Sequence, residues 1–481
     1  MDFSLNALWN NIIRRGSGSG FTEIEFLELE LQAWIDSGKR NQMIVGKRYF
    51  DGDHDILNKQ RQAVDTNGNT RTVNGLPNNR IVDNRYAELV DQKVSYLLSK
   101  PLEVRTDDEG YGKQLDTIFN QTFRRRLKNL GMDVLNCGMG YLHPYISNGE
   151  LRFKRFAPEQ VLPFWVDEEH EILDSFLRIY SVFTYEGTQP KIIWKVEHYT
   201  TGGIRRYIYT DSKKLIPDVE QTDADYLTVN GEPFNWDRVP LIAFKYNNRE
   251  LPLISRVKGL QDALNALLSN YSDNMAEDIR STILILEGYE GEDLSEFRRN
   301  LIAYGVIKVG TEDRKGDVRT LSIEVNADNY DLIIKLLKKA IIENGHGFDA
   351  KDDRMSNNPN QMNIRSIYSD IDLDANNMEM EFQASLEQLM WFVNTFLRIS
   401  GTNPDKNKVE FIFNRDTPVN ESEVIQNCKN SVGIISRETI VANHPWTKDT
   451  AEELARLEKE NTEALMPDYA ADGSAPNGAE E

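Results

Sequence analysis

Cysteine is nearly absent: Cys137 and Cys428 are the two in 481 residues. Two thiols so far apart give neither a disulfide framework nor a metal-binding spacing. A reducing compartment fits. Long apolar runs are also missing. The hydrophobic stretches fall well short of the ~20 residues that cross a bilayer, so no membrane span is expected. The N-terminus lacks a basic segment followed by an apolar one, so secretion is not expected. Histidine is sparse. His54, His143, His170, His198, His346 and His444 are the six, and none stands in an H-E-x-x-H or H-x-x-x-H setting. No G-x-x-x-x-G-K-[ST] run is present to cradle phosphates, and no G-x-S-x-G elbow to present a nucleophile. An autonomous P-loop ATPase and an α/β-type hydrolase are therefore not expected, and no motif implies a cofactor. Positive charge is in deficit: 56 Lys and Arg against 77 Asp and Glu, a net −21. A protein that grips nucleic acid by neutralising phosphates needs clustered cations. The balance argues against such a grip for the chain as a whole, but not against weak contact.

What is present is ordinary globular composition, 40% apolar and 28% charged, and enough chain for a sizeable core. Residues 1–20 end in RRGSGSG, a flexible arm. The spacing predicts a helix over 21–45, with Phe26, Leu29, Ala33 and Trp34 on one face. Residues 50–80 are polar and turn-rich. Helix returns over 80–100, where Tyr86, Leu89, Val90, Val94, Leu97 and Leu98 share a stripe that Pro101 ends. Another helix is expected over 112–136. From Gly140 the period changes to two. Asn148-Gly149, the TTGG at 200–203 and the Asn-Gly at 230–231 each separate alternating runs, three hairpin signals. Residues 140–250 thus read as antiparallel β meanders.

Residues 251–281 are helical again, with Ile254, Val257, Leu260, Leu264, Leu268, Tyr271 and Met275 in one stripe. A small α+β module follows over 282–326: strands at ILILEGY, GVIKVG and VRTLSIEV and a short helix near DLSEFRRNLIAY. Residues 327–345 form a returning helix, with Ile333, Leu337 and Ile341 on one face. A long helix covers 366–400, with Phe382, Leu386, Leu389, Met390, Val393, Phe396 and Leu397 inward. VEFIF at 409–413 is a strand, and 420–465 holds two or three short helices. The acidic tail 466–481 reads as disordered. The two helices flanking the small module carry more apolar surface than a lone hairpin can bury, which favours association with neighbours.

Four stretches invite chemistry. In DIDLDANNMEME (370–381), Asp370, Asp372, Asp374 and Glu381 stand at positions 1, 3, 5 and 12 of an EF-hand-like loop. Ala375 stands where the sharp turn needs Gly, and Asn377 where an apolar anchor is usual. An acidic first helical turn, favoured by the helix dipole, is the preferred reading, and no metal is expected. A metal-dependent nuclease using Asp370, Asp372 and Asp374 is the enzymatic alternative. DGDHD (51–55) sets His54 between Asp53 and Asp55, a perturbed histidine or, as preferred, a solvated turn. FRRRLK (123–128) is the densest basic run, usually a solvated helix face and otherwise a phosphate contact. KLLKK (335–339) puts Lys335 and Lys339 four apart on one face. Finally, DAKDDRMSNNPNQMNIR (349–365) is an uncharged-polar stretch between two helices. By itself it reads as a surface connection.

YFDGDHDIL (49–57), LPNNRIVDNRYAELVDQKVSYLLSKP (76–101), GELRFKRFAPEQVLPFW (149–165), VPLIAFKYNN (239–248) and SRVKGLQDALNALLSNYSDNM (255–275) together resemble portal proteins of tailed bacteriophages, of the SPP1-like type. The GHGFD-to-SDIDLDAN stretch (345–376) and VEFIFNRDTPVNESE (409–423) resemble later segments of the same family. The resemblance runs in order over roughly residues 40–460 and implies the α+β portal-protein fold, an α/β wing, two-helix stem, small α+β clip and helical crown, assembled as a ring. The implied divisions are an arm 1–20, wing 21–250, first stem helix 251–281, clip 282–326, second stem helix 327–348, tunnel loop 349–365, long wing helix and strand 366–412, crown 413–465 and acidic tail 466–481.

The same resemblance implies a dodecamer in the virion, with a thirteen-subunit ring as the variant for isolated protein. Its implied location is the capsid portal vertex, and the host cytoplasm during assembly. Implied partners are double-stranded DNA in the channel, the terminase large subunit, major capsid and scaffolding proteins, and a head-completion or adaptor protein. Met355, Asn357, Asn358, Asn360, Gln361 and Asn363 would face DNA from the tunnel loop, and Lys335 and Lys339 would line the channel. Asn and Gln amides bond phosphate without a full charge, so such contacts form and break at low cost. Catalytic residues, metal and cofactor are not implied. A ring-forming head–tail protein that does not conduct DNA is the structural alternative.

Overall fold

The computed structural model describes residues 22–64, 70–72, 77–229, 232–278, 283–287, 310–311, 314–315, 317–321, 327–349, 361–402, 404, 408–415, 420–447 and 450–464. Two units divide the chain, one of Met1–Gly347 with Asp370–Asp416, the other of Phe348–Ser369 with Thr417–Glu481. The arm 1–20 and the tail 466–481 lie outside the described residues.

The first unit opens on two helices where one was expected over 21–45. α1 (Glu23–Ile35) gives way to α2 (Gly38–Phe50) at Ser37, whose hydroxyl accepts from Arg40 N. A side-chain oxygen that satisfies an orphan donor of a new helix overrides an apolar period that runs through it. α1 turns Leu27, Leu31 and Trp34 inward, while Leu29 and Ala33, expected inside, are exposed. Strands β1 (Gln62–Val64) and β2 (Thr70–Thr72) pair inside the turn-rich 50–80 stretch. α3 (Arg85–Leu98) buries its whole expected stripe, Tyr86 to Leu98. After β3 (Glu103–Arg105), the helix expected over 112–136 is again two: α4 (Glu109–Ile118) and α5 (Gln121–Cys137), parted by the N-cap Asn120. Gly138 closes α5 at φ +81°, and a Cβ there would lie 2.1 Å from Glu250 O. Only glycine fits that left-handed cap.

Nine strands then follow the period of two, with a tenth after a gap: β4 (Met139–Ser147), β5 (Glu150–Phe156), β6 (Val161–Trp165), β7 (Leu173–Glu186), β8 (Gln189–Thr200), β9 (Gly203–Tyr209), β10 (Leu215–Pro217), β11 (Leu227–Val229), β12 (Glu232–Phe234) and β13 (Ile242–Lys245). All three hairpins read from the sequence are there, at β4–β5, β8–β9 and β11–β12. Asn148 and Gly149 both take positive φ, as a two-residue hairpin turn demands. β6 to β10 make a five-stranded meander, and β13–β4–β5 a three-stranded sheet. The meander has two apolar faces. One packs Leu177, Ile179 and Val196 on Leu27 and Leu31 of α1. The other packs Phe176 and Tyr199 on Met139, Tyr141 and Phe156 of the smaller sheet.

α6 (Ile254–Asp278) carries the feature that organises this unit. Ile254, Val257 and Leu264 of its expected stripe are buried, but Met275 is 46% exposed. Its deepest residues toward the C-terminus are polar. Gln261, Asn265, Ser269 and Asp273 are all buried, one per turn. Three accept from backbone N–H groups of the extended segment before α3, and Gln261 from the first turn of α3 itself. Asp273 Oδ1 takes Asn79 N at 2.6 Å, Ser269 Oγ takes Ile81 N at 2.9 Å, Asn265 Oδ1 takes Asp83 N at 3.0 Å, and Gln261 Oε1 takes Tyr86 N at 3.1 Å. From Asn79 to Asp83 the repeats match because four helical residues rise about 6 Å and two extended residues advance about 6.6 Å; the last rung, at Tyr86, falls in the first turn of α3.

Beyond α6, β14 (Ile283–Glu287) pairs with β17 (Asp317–Leu321), and β15 (Gly310–Thr311) with β16 (Arg314–Lys315). The short helix expected near 294–303 lies outside the described residues. α7 (Ala327–Asn344) and α8 (Gln361–Ile399) follow, the latter running through the division between units, and β18 (Glu410–Ile412) pairs with β3. In the second unit, α9 (Glu421–Asn430), α10 (Arg437–Ala442) and α11 (Thr450–Ala464) are the helices expected over 420–465. Cys428 and Val441 are buried there. Among the described residues, no helix is long and apolar enough to cross a membrane.

Two predictions follow from buried polar groups. Asn265→Leu strands the Asp83 N–H and His54 Nδ1 and removes one of the two acceptors of Gln261 Nε2, which keeps Asp83 O. At roughly 1–3 kcal/mol per orphaned group, urea unfolding loses about 3 kcal/mol or more. A loss below about 1 kcal/mol sinks the ladder's importance. His198 is fully buried, and neither ring nitrogen finds a hydrogen-bond partner among the described residues. Burial lowers its pKa to about 4. The unfolded chain, at about 6.5, takes the proton first, so this stability is whole above pH ~6.5 and drains as pH falls toward 4. At pH 5 the loss is about 2 kcal/mol. His198→Leu flattens the stability–pH curve between pH 7 and 5 by that amount, and an unchanged slope refutes it.

Candidate functional site

Of the residues assigned to DNA contact, Met355, Asn357, Asn358 and Asn360 lie outside the described residues. Gln361 and Asn363 belong to α8, which starts at Gln361 and not at 366. Ile364, Ile367 and Tyr368 are buried, so helical burial extends upstream of the expected start, and Pro359 stands just before it. Lys335 and Lys339 are exposed on one side of α7, as read. Each has a carboxylate on its own helix, Lys335 with Asp331 at 2.6 Å and Lys339 with Glu343 at 3.7 Å. Lys338 reaches Asp83 at 2.9 Å. KLLKK is therefore largely neutralised locally, and its attraction for a polyanion is small.

The described geometry concentrates on the exit from α7. Gly345 and Gly347 press against Leu89, where an added Cβ would come within 2.5 and 2.4 Å of its methyls. His346 between them takes φ +52°. Its carbonyl accepts from Lys93 Nζ at 3.0 Å, and the same ammonium bonds Asp374 Oδ2 of α8 at 2.6 Å. Tyr246 OH donates to that carboxylate oxygen at 2.8 Å, and Arg256 Nη1 lies 3.7 Å from the other. Burial pulls Lys93 below its usual pKa against the attraction of Asp374. One buried ammonium thus ties the end of α7 to α8 across the stretch between them. The sequence signal was there: Lys93 falls within the apolar stripe of α3, between Val90 and Val94.

This arrangement corrects the reading of 370–381. Asp374 sits well inside α8, not in its first turn, so cation partners rather than the helix dipole hold its charge. Asp372 goes elsewhere, accepting from Arg415 and from Tyr96 OH. Residues two apart on a helix point to different sides, so the three aspartates do not converge as a nuclease centre needs. Among the described residues, no three His, Cys, Asp or Glu side chains gather as a metal site. DGDHD is corrected too. His54 is fully buried, not solvated. Its ring stacks on Tyr49 with centroids 4.3 Å apart, its Nε2 donates to Tyr49 O at 2.9 Å and its Nδ1 accepts from Asn265 at 2.8 Å. Those bonds fix a neutral ring, and burial lowers its pKa. Asp53 and Asp55 pair with Arg48, each at 2.9 Å.

The family model described as "Phage portal protein, SPP1 Gp6-like" matches residues 35–465. The chain belongs to that family. It is 28% identical over 444 residues to the portal protein of Bacillus phage SPP1, covering 89% of this chain and 86% of that one. It is 28% identical over 454 residues to the portal protein of Clostridium phage phiCD119, covering 90% and 96%. A chain from the neck of a native GTA particle, solved with C12 symmetry, is 11% identical and superposes at a TM-score of 0.38, covering 75% of this chain and 89% of that one.

In this portal chain the Lys93–Asp374 pair carries a two-part prediction. Lys93→Ala takes the ammonium from the buried Asp374 carboxylate, leaving it Tyr246 OH and the more distant Arg256, and chemical unfolding loses about 3 kcal/mol. Lys93→Met with Asp374→Leu removes both charges and recovers most of that loss. A double variant as unstable as the single one contradicts this account.

Proposed function

We propose that this protein is the portal subunit of a tailed phage, a dodecamer at one capsid vertex whose axial channel passes double-stranded DNA during packaging and ejection. It docks the terminase large subunit during packaging and head-completion or adaptor proteins afterwards, beside major capsid and scaffolding proteins. It is a structural conduit, and nucleotide hydrolysis belongs to the terminase. The observation that carries the reading is the family match over residues 35–465. Apolar surface left bare on the single chain supports assembly. Leu332, Ile333 and Leu336 of α7 are 58, 45 and 57% exposed, and Phe183, Tyr185 and Ile192 of the β7–β8 hairpin are 60% or more. Surface of that kind marks contacts between molecules.

In this reading the stretch after α7 is the tunnel loop, with Met355, Asn357, Asn358 and Asn360 toward DNA, followed by Gln361 and Asn363 on the first turn of α8. Lys335 and Lys339 contribute only a weak pull, because Asp331 and Glu343 answer their charge. Replacing residues 350–360 by a short Gly-Ser linker leaves ring formation intact and impairs packaging or retention of DNA. Class averages show the ring at about 660 kDa, twelve times 55.3 kDa. DNA retained at the unmodified level refutes the loop's role. A compact dimer without a central hole refutes the architecture.

A further inference from the structure

The basic run FRRRLK does not lie on a neutral solvent face. Phe123 and Leu127 of α5 are buried, which turns Arg125 and Arg126 toward the β4–β5 hairpin. There they line a cleft of about 730 Å³ with Lys154 and Arg155. Four cationic side chains line it and no carboxylate does, in a chain of net −21. Lys154 makes no ion pair among the described residues, and Glu197 near it bonds Arg178 at 3.1 Å and the hydroxyls of Tyr180 and Tyr199 at 3.2 and 3.0 Å. Arg155 alone of the four bonds an acid, Asp133 at 2.8 Å.

The floor beneath these cations is rigid. His143 stacks on Tyr145 and Phe156 with interplanar angles of 6° and 15°. His143, Phe153, Phe156 and Tyr199 are all buried, so they hold the floor and offer no platform for unstacked bases. A concave row of cations, three of them with no ion pair among the described residues and Tyr145 the one aromatic of the lining that is not buried, suits a phosphate backbone more than single-stranded bases. We infer that Arg125, Arg126, Lys154 and Arg155 form a binding cleft for the phosphates of double-stranded DNA. Burial and the neighbouring Arg178 lower the pKa of Lys154 against the pull of Glu197. No residue of the cleft belongs to α6, α7 or the 350–360 stretch, so its residues differ from those proposed for the channel.

The test is fluorescence anisotropy of the full-length protein, in its assembled form, with a labelled duplex of about thirty base pairs across a salt series. Each phosphate contact adds about 0.9 to the slope of log K against log salt. Arg125→Ala/Arg126→Ala/Lys154→Ala lowers that slope by about 2–3 and weakens low-salt binding at least about tenfold. Arg105→Ala/Lys113→Ala, which removes two cations elsewhere, leaves the slope unchanged. If the triple variant melts early, Lys154→Met alone reads a drop of about 1. An unchanged slope, or no duplex binding by the parent protein, overturns the inference. So does tighter binding of polyglutamate than of duplex at equal charge, which assigns the cleft to an acidic protein surface. The 350–360 replacement leaves the slope intact, so failure of the channel reading and failure of this one are distinguishable.

Discussion

The polar ladder on α6 is the constraint on which the first unit depends. Four side chains on one helical line satisfy four backbone donors, three on an extended segment that has no strand partner there and one in the first turn of α3. Unpaired, those donors could not be buried, since each orphan costs about as much as a core methylene or more. Other segments hang on the same helix. Tyr49 OH bonds Asp262 at 2.5 Å, Lys258 bonds Asp55 at 2.6 Å and Lys59 bonds Asp273 at 2.7 Å. His54 closes the set through Asn265. The helix therefore fixes where α3 starts, and α3 carries Lys93.

From Lys93 the constraint passes to the two helices on either side of the 350–360 stretch. Leu89 and Lys93, one turn apart on α3, receive the Gly345–Gly347 turn, and Lys93 grips Asp374 as well. A buried ion pair is weak evidence of stability for its own sake. Here it has a clear geometric effect, setting the span that the intervening residues bridge.

The parts legible in the sequence were those written in local chemistry. Asn148-Gly149 specifies its own turn, and period-two runs beside it specify strands. The stripe of α3 was legible because hydrophobic burial repeats every turn. What stayed hidden was local chemistry that interrupts a period without changing it. Ser37 and Asn120 each cap a new helix inside a continuous apolar pattern, so two helices read as one. Gln261, Asn265, Ser269 and Asp273 stood outside the apolar stripe read for their helix and drew no notice, because a polar line on a helix looks the same whether water or a backbone satisfies it. The order of segments made the family legible, but Lys93 and Asp374 lie 281 residues apart, and only the fold brings them together. The acidic run at 370–381 read as a first helical turn, with a metal as the alternative, because carboxylate spacing is visible in sequence and their cation partners are not.

The ladder also sets how this part of the subunit answers force. Rungs that lie in a row along a helix respond differently to two directions of pull. A force that peels the 79–86 segment away meets one hydrogen bond at a time. A force along the axis of α6 loads all four rungs in parallel, and none yields until the others do. With the mismatch between about 6 and 6.6 Å per step absorbed over so few rungs, the segment and the helix behave as a single stiff strut in shear. Sliding by one register needs all four bonds broken together, so thrust along α6 reaches α3 with little give.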